Sequence, residues 1–388
     1  MDRRRFLALS SLPLTFARPA VPARAATAAQ TGDARFEDIA RLVREQMQAY
    51  RVPGVGLGLM VDGATTLRGF GVTSLDDPRP VTEDTLFTIA SISKTMTATA
   101  VMKLVEARRV DLGAPLREYV REFRVLDEAT SNEVSLWHCL THTPGWEGQL
   151  TTEDRGAEAL AHFAGSILPT LPQIAPLGRV WSYNNAGFAL AGRVIETVSG
   201  KGIHDALRDL VFAPLGLTRT FTRLTDAMTY RYTLGHRDRG DAVEVIRPFQ
   251  TTSSTTAGGV LTTIADIMRY ARFHLGDGRT PEGAPYLSRE NLALMQTPQF
   301  VKAATTDQMG VGWHVRTLGG ERTFAHGGTL NGHCLLLQLV PSKRLAFCVF
   351  TNHVDGWRLV QDVEAAILKA YAGVALAPGQ TIAHRGVN

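Results

Sequence analysis

A serine and a lysine three positions apart are the first residues in this chain that suggest chemistry. They are Ser91 and Lys94, within the stretch FTIASISK at residues 87–94. On a helix, side chains at this spacing share one face, so the lysine amine can reach the serine oxygen. A deprotonated lysine can take the serine proton and activate the serine for acyl transfer. The spacing alone is weak evidence, because short pairs of this kind also occur by chance.

The sequence around Lys94 favours a chemical role. Residues 92–105 (ISKTMTATAVMKLV) contain no Gly or Pro and little polar face, which predicts a buried helix. A lysine in its first turn must bury a charge or lose a proton, and burying an unpaired charge is costly. The chain has 35 arginines and only 6 lysines. Because lysine, unlike arginine, can become a neutral base, its retention at position 94 favours proton transfer.

Two further motifs follow in the chain. WSYNNAG contains Tyr183-Asn184-Asn185, and FAHGGTLNG contains His326-Gly327-Gly328 at the end of a predicted strand. Together with FTIASISK, these motifs resemble the serine β-lactamase and penicillin-binding superfamily, which is marked by Ser-x-x-Lys, Tyr-x-Asn or Ser-x-Asn, and Lys/His-x-Gly in this order.

The resemblance is closest to class C β-lactamases and to the related family VIII carboxylesterases and D-amino-acid peptidases, because the middle motif begins with Tyr. LTHTPGW (140–146) and AGGVLTTIAD (257–266) also look like that family. The similar region spans about residues 36–372. The chain contains no Gly-x-Ser-x-Gly, which argues against the α/β-hydrolase alternative.

The resemblance implies catalytic roles for four side chains. Ser91 would form the acyl-enzyme, with Lys94 and Tyr183 sharing the proton transfers. Tyr183 would protonate the leaving group and later help to activate water. Asn185 would orient the Lys94 amine and the acyl group of the substrate. Taken singly, Tyr183 also fits a core tyrosine and Asn185 a helix cap.

The third motif is expected to form the other wall of the site. The resemblance implies an oxyanion hole made of the backbone amides of Ser91 and Thr329. Gly327 and Gly328 would let the substrate lie close to the strand. His326 is a departure, because class C β-lactamases carry Lys here. Histidine, whose unperturbed pKa is about 6.5, is mostly neutral at pH 7 and attracts a substrate carboxylate less than lysine does.

Three nearby side chains are left without an assigned role. Gln149 follows HTPGW and is similar in position to an amide-binding glutamine of the family, but the ambiguous local length favours an ordinary loop residue. Trp146 and Trp181 flank two motifs. They fit the wall of an apolar acyl pocket and the packing of a surface loop equally well.

The order of predicted elements shows how the chain would hold these residues. An amphipathic helix is predicted at 36–50, and a hairpin at 55–72 turns at Asp62-Gly63. The region after the Ser91 helix has helical patterns. Strands return at 309–317, 322–328, 333–341 and 344–352, followed by a closing helix at 357–372.

This order predicts an α/β (α+β) fold in which an antiparallel sheet is flanked by helices and carries an inserted all-helical domain, as in β-lactamases and transpeptidases. The sheet domain is predicted at 33–108 and 255–375, and the helical domain at 109–254. Strands from the two ends of the chain would therefore share one sheet.

The charge of the chain is concentrated at its N-terminus. The net charge of +4 is accounted for by residues 1–25, which hold five arginines and one aspartate. Arg3, Arg4, Phe6 and Leu7 match the pattern of a twin-arginine export signal, and Ala23 to Ala25 offer a small-residue cleavage site. We therefore expect a periplasmic or secreted protein with no electrostatic case for nucleic-acid binding. No later run is long enough for a membrane span.

The cysteines and histidines do not suggest a metal or a disulfide framework. Cys139, Cys334 and Cys348 cannot all pair, and we expect core thiols. His138 and His142 are four residues apart without the Glu of an H-E-x-x-H motif, which makes a zinc site improbable. No metal or cofactor is expected.

The sequence thus predicts an exported serine hydrolase acting on a small-molecule ester or amide, most simply a carboxylesterase. A β-lactamase or D-amino-acid peptidase with the same residues is the close alternative, and a non-catalytic binding protein is the alternative of a different class. Acyl-chain preference and oligomeric state are not legible in the sequence.

Overall fold

The computed structural model describes residues 33–149, 156–301, 307–377 and 380. The predicted export segment, residues 1–25, lies outside these ranges. The strands of the described part are β1 (Gly54–Val61), β2 (Ala64–Gly71), β3 (Leu86–Thr88), β4 (Thr220–Phe221), β5 (Gly235–Arg239), β6 (Ala242–Ile246), β7 (Leu261–Thr263), β8 (Phe300–Val301), β9 (Asp307–Met309), β10 (His314–Leu318), β11 (Glu321–Leu330), β12 (His333–Val340) and β13 (Leu345–Thr351).

Helices cover both faces of the sheet and fill the middle of the chain. The α-helices are α1 (Ala34–Ala49), α2 (Ser93–Glu106), α3 (Glu128–Glu133), α4 (Leu136–Leu140), α5 (Ala159–His162), α6 (Asn185–Ser199), α7 (Ile203–Leu207), α8 (Leu224–Ala227), α9 (Thr255–Gly258), α10 (Ile264–Leu275), α11 (Arg289–Gln296) and α12 (Gly356–Ile367). None of the helices in the described ranges combines the length and hydropathy needed to cross a bilayer.

Strands from both ends of the chain form one large antiparallel sheet. Its order is β2-β1-β13-β12-β11-β10-β9-β8, so β1 pairs with β13 along its length. The hairpin of β1 and β2 turns at Asp62 and Gly63, both with positive φ, as the Asp-Gly pair predicted. The predicted fold class is confirmed, whereas the exact domain boundaries stay a prediction.

Alternate residues of the central strands bury two separate cores. Along β13, Leu345, Phe347 and Val349 join the core under α1 and α12. Ala346, Cys348 and Phe350 point the other way, into the larger core that contains α2, α6 and α10. The alternation follows from the pleat, in which successive side chains face opposite sides of the sheet.

The region 109–254 is not entirely helical, in contrast to the expectation. It contains β4, which pairs with β7, and the hairpin of β5 and β6. The hairpin sequence GHRDRGDAVEVI turns at Gly240 and is mostly exposed beyond His236, so it lacks the apolar alternation by which a strand is recognised. The helical patterns predicted after the Ser91 helix are present as α4, α6 and α7, within the stretches SLWHCLTH, NAGFALAGRVIETVSG and GIHDALRDLVFAPLG.

The predicted strand at 309–317 is interrupted. Residues 310–313 leave the sheet, and β10 begins only at His314. Gly312 has φ +77, and a Cβ there would lie 2.5 Å from the Cβ of Ala98 on α2. The glycine therefore makes a bend against α2, and Trp313 next to it is fully buried.

Candidate active site

Ser91 lies in a tight turn that presents it beside the sheet. The turn is a 3-10 helix at Ala90–Ile92 that leads into α2. Ala90 has φ +48, a left-handed conformation that costs a non-glycine residue about 1–2 kcal/mol. Just before the turn, the Ile89 amide donates a hydrogen bond to the Val260 carbonyl oxygen at 2.9 Å, which ties the end of β3 to the start of β7. Ser91 keeps partial exposure, whereas the eleven residues that follow, 92–102, are buried.

Lys94 is fully buried one turn after Ser91. Its Nζ lies 3.2 Å from Ser91 Oγ, 2.7 Å from Asn185 Oδ1 and 2.6 Å from the Ala257 carbonyl oxygen. Among the described residues no carboxylate pairs with Lys94, and burial lowers the pKa of this amine well below 10.5.

The partners of Lys94 determine what a neutral amine can do there. Asn185 Oδ1 and the Ala257 carbonyl oxygen only accept hydrogen bonds, so they take the two N–H groups of a neutral amine. The remaining lone pair then faces Ser91 Oγ. This arrangement aims a base at the serine proton and leaves no buried donor unsatisfied.

Tyr183 lies next to Ser91, just before α6. Lys94 Nζ is 4.8 Å from the centre of the tyrosine ring. Burial raises the pKa of Tyr183 above its usual value, and a side-chain hydrogen bond with Ser91 opposes that rise. The phenol is thus protonated at neutral pH and suited to donate a proton.

The start of α6 positions Asn185 towards Lys94. The preceding residue, Asn184, caps the helix by accepting from the Gly187 amide at 2.7 Å, and its side-chain nitrogen donates to the Trp146 carbonyl at 3.0 Å. The Asn185 amide donates to the Gly148 carbonyl at 2.8 Å. The helix cap is therefore Asn184, and Asn185 is left to accept from Lys94.

Strand β11 brings the third motif against the Ser91 turn. His326 Nδ1 donates to the Gly327 carbonyl oxygen at 2.7 Å, and the imidazole centre is 6.5 Å from that of Tyr183. A Cβ on Gly328 would lie 2.5 Å from the Ile89 carbonyl oxygen and 3.2 Å from the Ser91 nitrogen. The strand therefore passes the Ser91 amide at a distance that only glycine allows at this position.

Gly328→Ala should lower kcat/KM by about 100-fold, because its Cβ must push β11 away from the Ser91 amide and so displace one donor of an oxyanion hole. Gly202→Ala is the matched control, since a Cβ there meets nothing within 4 Å. Both variants are assayed with one ester substrate, after circular dichroism has shown that they fold. Unchanged turnover by Gly328→Ala would show that this close approach is not needed.

The remaining predicted residues occupy different places around the site. Thr329 is exposed, and its Oγ1 accepts from Trp357 Nε1 at 2.7 Å. Trp181 is half-buried and lies 6.4 Å from Tyr183 between ring centres. Trp146 is fully buried against Phe123, so it belongs to the core and does not wall a cleft. Gln149 is exposed.

Two groups near the site carry no sequence signal of their own. The Ala257 carbonyl that accepts from Lys94 is a backbone group, so no side-chain type identifies it. In the sequence, this segment is marked only by the resemblance of AGGVLTTIAD to the family. His314 on β10 lies 5.1 Å from His326 and 6.1 Å from Trp181 between ring centres. The pairing of β10 with β11 brings the two histidines together.

The three cysteines are free and buried, as predicted. Burial raises the pKa of Cys139 and Cys348 above their usual value, and that of Cys334 to about 12. Such thiols stay protonated and are poor nucleophiles. Ser91 is therefore the better-placed nucleophile.

Known proteins are similar to this chain in sequence. A sequence model of the Beta-lactamase family matches residues 39–372. Penicillin-binding protein 4 of Amycolatopsis lactamdurans is 32% identical over 335 residues, which cover 84% of this chain and 88% of that protein.

Solved structures of β-lactamases are similar to this chain in fold. The class C β-lactamase from Rhodobacter sphaeroides superposes with a TM-score of 0.70 at 24% identity, covering 85% of this chain and 99% of that one. The β-lactamase/D-alanine carboxypeptidase from Pseudomonas syringae has a TM-score of 0.74 at 20% identity, covering 87% and 99%.

Proposed function

Because this chain belongs to the β-lactamase family of serine hydrolases, we propose that it hydrolyses esters through an acyl-enzyme formed on Ser91. The observation that carries the proposal is the buried Lys94 amine, which lies 3.2 Å from Ser91 Oγ and whose pKa is lowered by burial. A carboxylesterase acting on small or medium esters is the specific activity that we propose.

In the acylation step, the Ser91 hydroxyl proton moves to Lys94 Nζ while Oγ attacks the ester carbonyl carbon. The carbonyl oxygen becomes an oxyanion, for which the backbone amides of Ser91 and Thr329 are the proposed donors. When the intermediate collapses, the bond to the alkoxide breaks and the Tyr183 hydroxyl protonates the leaving alcohol. Lys94 then returns a proton to Tyr183.

Deacylation repeats these transfers with water. A water molecule gives one proton to the Tyr183 and Lys94 pair and attacks the acyl carbon, and Ser91 Oγ leaves with a proton as the carboxylic acid departs. Asn185 holds the Lys94 amine in place throughout, through the hydrogen bond at 2.7 Å. The proposed partner is thus a small-molecule ester or amide, with no cofactor or metal required.

The preference for neutral esters rests on His326. At neutral pH a histidine with an ordinary pKa is mostly uncharged, whereas the lysine of class C β-lactamases attracts a carboxylate. An exposed charge interaction contributes on the order of 1 kcal/mol, and a desolvated charge-assisted hydrogen bond about 1.5–3 kcal/mol. Loss of that charge therefore weakens the use of carboxylated substrates by about ten- to hundredfold.

His326→Lys should raise the ratio of penicillin to neutral ester hydrolysis by about ten- to hundredfold, because it restores a permanent cation beside the site. The ratio of kcat/KM values for a penicillin and a p-nitrophenyl ester measures this. His326→Gln is the control, since it keeps a neutral polar side chain and should leave the ratio unchanged. Equal or better penicillin hydrolysis by the wild type at pH 8 would instead favour a β-lactamase.

The close alternative is cleavage of amide bonds by the same residues. The Amycolatopsis relative is named a penicillin-binding protein, and the Pseudomonas structure a β-lactamase/D-alanine carboxypeptidase. Comparison of kcat/KM across p-nitrophenyl esters, a cephalosporin and D-alanyl peptides separates these substrates. A non-catalytic binding protein is the remaining alternative, and a folded wild type that never reacts with a fluorophosphonate would favour it.

Export to the periplasm or medium stays a prediction from the sequence. It rests on the arginine pair at residues 3 and 4 and on the small residues 23–25, which lie outside the described ranges. An acyl-enzyme hydrolase acting on external esters is compatible with that location.

A further inference from the structure

The imidazole of His142 is a buried part of the site that the proposed mechanism does not use. Its ring stacks on the Tyr183 ring, with 4.6 Å between the centres and 29° between the planes. His142 is fully buried and also contacts Trp181 and Phe188. It therefore covers the face of the tyrosine proposed as the proton donor.

Two hydrogen bonds join His142 to the residues on either side of Tyr183. The Ser182 amide donates to the His142 carbonyl oxygen at 2.9 Å. The Asn184 amide donates to His142 Nδ1, also at 2.9 Å. One residue thus fixes the backbone before and after Tyr183, which leaves the tyrosine little freedom to rotate about its neighbours.

The backbone of His142 has a left-handed conformation at the end of helix α4, although the residue is not a glycine. His142 follows the C-cap Thr141 and has φ +60, the left-handed position after a helix that usually belongs to glycine. A non-glycine residue there costs about 1–2 kcal/mol. The side chain that causes this cost is the one that holds Asn184 and stacks on Tyr183.

The hydrogen bond from Asn184 also fixes the proton of the imidazole. Because Nδ1 accepts from an amide, a neutral His142 carries its proton on Nε2. A proton on Nδ1 would break this bond. It would also make His142 a cation stacked against the Tyr183 ring.

We propose that His142 is the positioning residue of Tyr183: its Nδ1 and carbonyl oxygen clamp residues 182–184 so that the phenol points at Ser91. This inference rests on the proposed function, because it concerns the rate of proton transfer by Tyr183. A misplacement of about 1 Å at a reacting group can cost about 100-fold in rate.

The test compares two variants that each keep half of the contact. His142→Asn keeps an acceptor near the Nδ1 position and tolerates positive φ, whereas His142→Phe keeps the stacked ring and loses the acceptor. We expect His142→Phe to lower kcat about 100-fold with KM within about threefold, and His142→Asn to lower kcat by less than about tenfold. Both should lower the melting temperature.

His274→Phe is the matched control for loss of a buried histidine. His274 is fully buried and packs on Tyr270, and burial lowers its pKa to about 3, yet it touches none of the proposed reacting groups. Its replacement should lower the melting temperature and leave kcat near the wild-type value. A proportional fall of kcat with melting temperature in all three variants would overturn the positioning role.

Two measurements on the unreacted protein separate this inference from the proposed function. Nitrogen NMR of ¹⁵N-histidine should show a His142 with an unprotonated Nδ1 and a protonated Nε2 at pH 7. Exchange of the Asn184 amide with deuterium should be slow in the wild type and in His142→Asn, and fast in His142→Phe. A protonated Nδ1, or equal exchange in both variants, would overturn the clamp even if ester hydrolysis is confirmed. If the wild type shows the unprotonated Nδ1 and the slow Asn184 exchange but neither ester turnover nor fluorophosphonate labelling, the proposed function is overturned and the positioning of Tyr183 by His142 is not.

Discussion

Ser91→Ala should lower ester turnover by at least about 10⁴-fold and abolish labelling by a fluorophosphonate, because the acyl-enzyme cannot form without Oγ. Lys94 and Tyr183 cannot replace it, since in the proposed mechanism they transfer protons and do not form the bond to the acyl carbon. Turnover is measured as kcat/KM with a p-nitrophenyl ester, and labelling by intact-protein mass spectrometry.

Ser93→Ala is the matched control for a serine two residues along the same segment. Ser93 is buried, and its Oγ accepts from the Val260 amide at 3.0 Å, so its removal leaves that amide unsatisfied. We expect a loss of about 1–3 kcal/mol in the free energy of unfolding, with labelling retained. Labelling of a folded Ser91→Ala variant would show that another residue is the nucleophile.

Lys94→Met should be almost as damaging, with kcat/KM falling by about 10³- to 10⁴-fold, because the serine loses its base. Lys94→Arg should not restore the rate, since a guanidinium stays protonated and cannot accept the Ser91 proton. Lys103→Met is the control on the same helix. Lys103 donates to the Tyr286 carbonyl at 2.9 Å, away from Ser91, so its turnover should stay near the wild-type value.

The lowered pKa of Lys94 also predicts how activity and stability depend on pH. The free amine is the active form, so kcat/KM should fall as the pH falls through the lowered pKa. Between that pKa and 10.5, the unfolded chain binds one proton more than the folded protein at this residue. Lys94 should therefore add about 1.4 kcal/mol per pH unit to the free energy of unfolding as the pH rises.

Urea unfolding of the wild type and Lys94→Met at about pH 8 and about pH 9.5 measures this slope. The difference between the two proteins should grow with pH in favour of the wild type. A difference that does not change would mean that Lys94 is charged in the folded protein, and the assignment of a neutral base would then be wrong.

The local parts of the fold and site could be predicted because their causes are local. The Asp62-Gly63 turn needs two residues with positive φ, and this pair supplies them. The spacing of Ser91 and Lys94 places both side chains on one face of a helical turn, whatever surrounds them. Burial of most of α2 follows from its predominance of apolar and small side chains.

The tertiary structure decided what each of these residues contacts. Asn185 and the Ala257 carbonyl lie 91 and 163 positions from Lys94, and their convergence depends on how α6 and α9 pack on α2. Backbone acceptors such as Ala257 leave no trace in side-chain types. Tertiary packing likewise placed Trp146, which flanks a motif, in the core. The exposed hairpin of β5 and β6 lies in a region whose sequence patterns predict helices.

The sequence by itself thus determined the family, the sheet and the order of the three motifs, because these depend on residue type and spacing along the chain. Only the tertiary structure decided the protonation and orientation of the proposed reacting groups. The pKa of Lys94 is lowered by burial, which is a property of all the elements packed around it. The stack of His142 on Tyr183 likewise exists only because the end of α4 meets the start of α6.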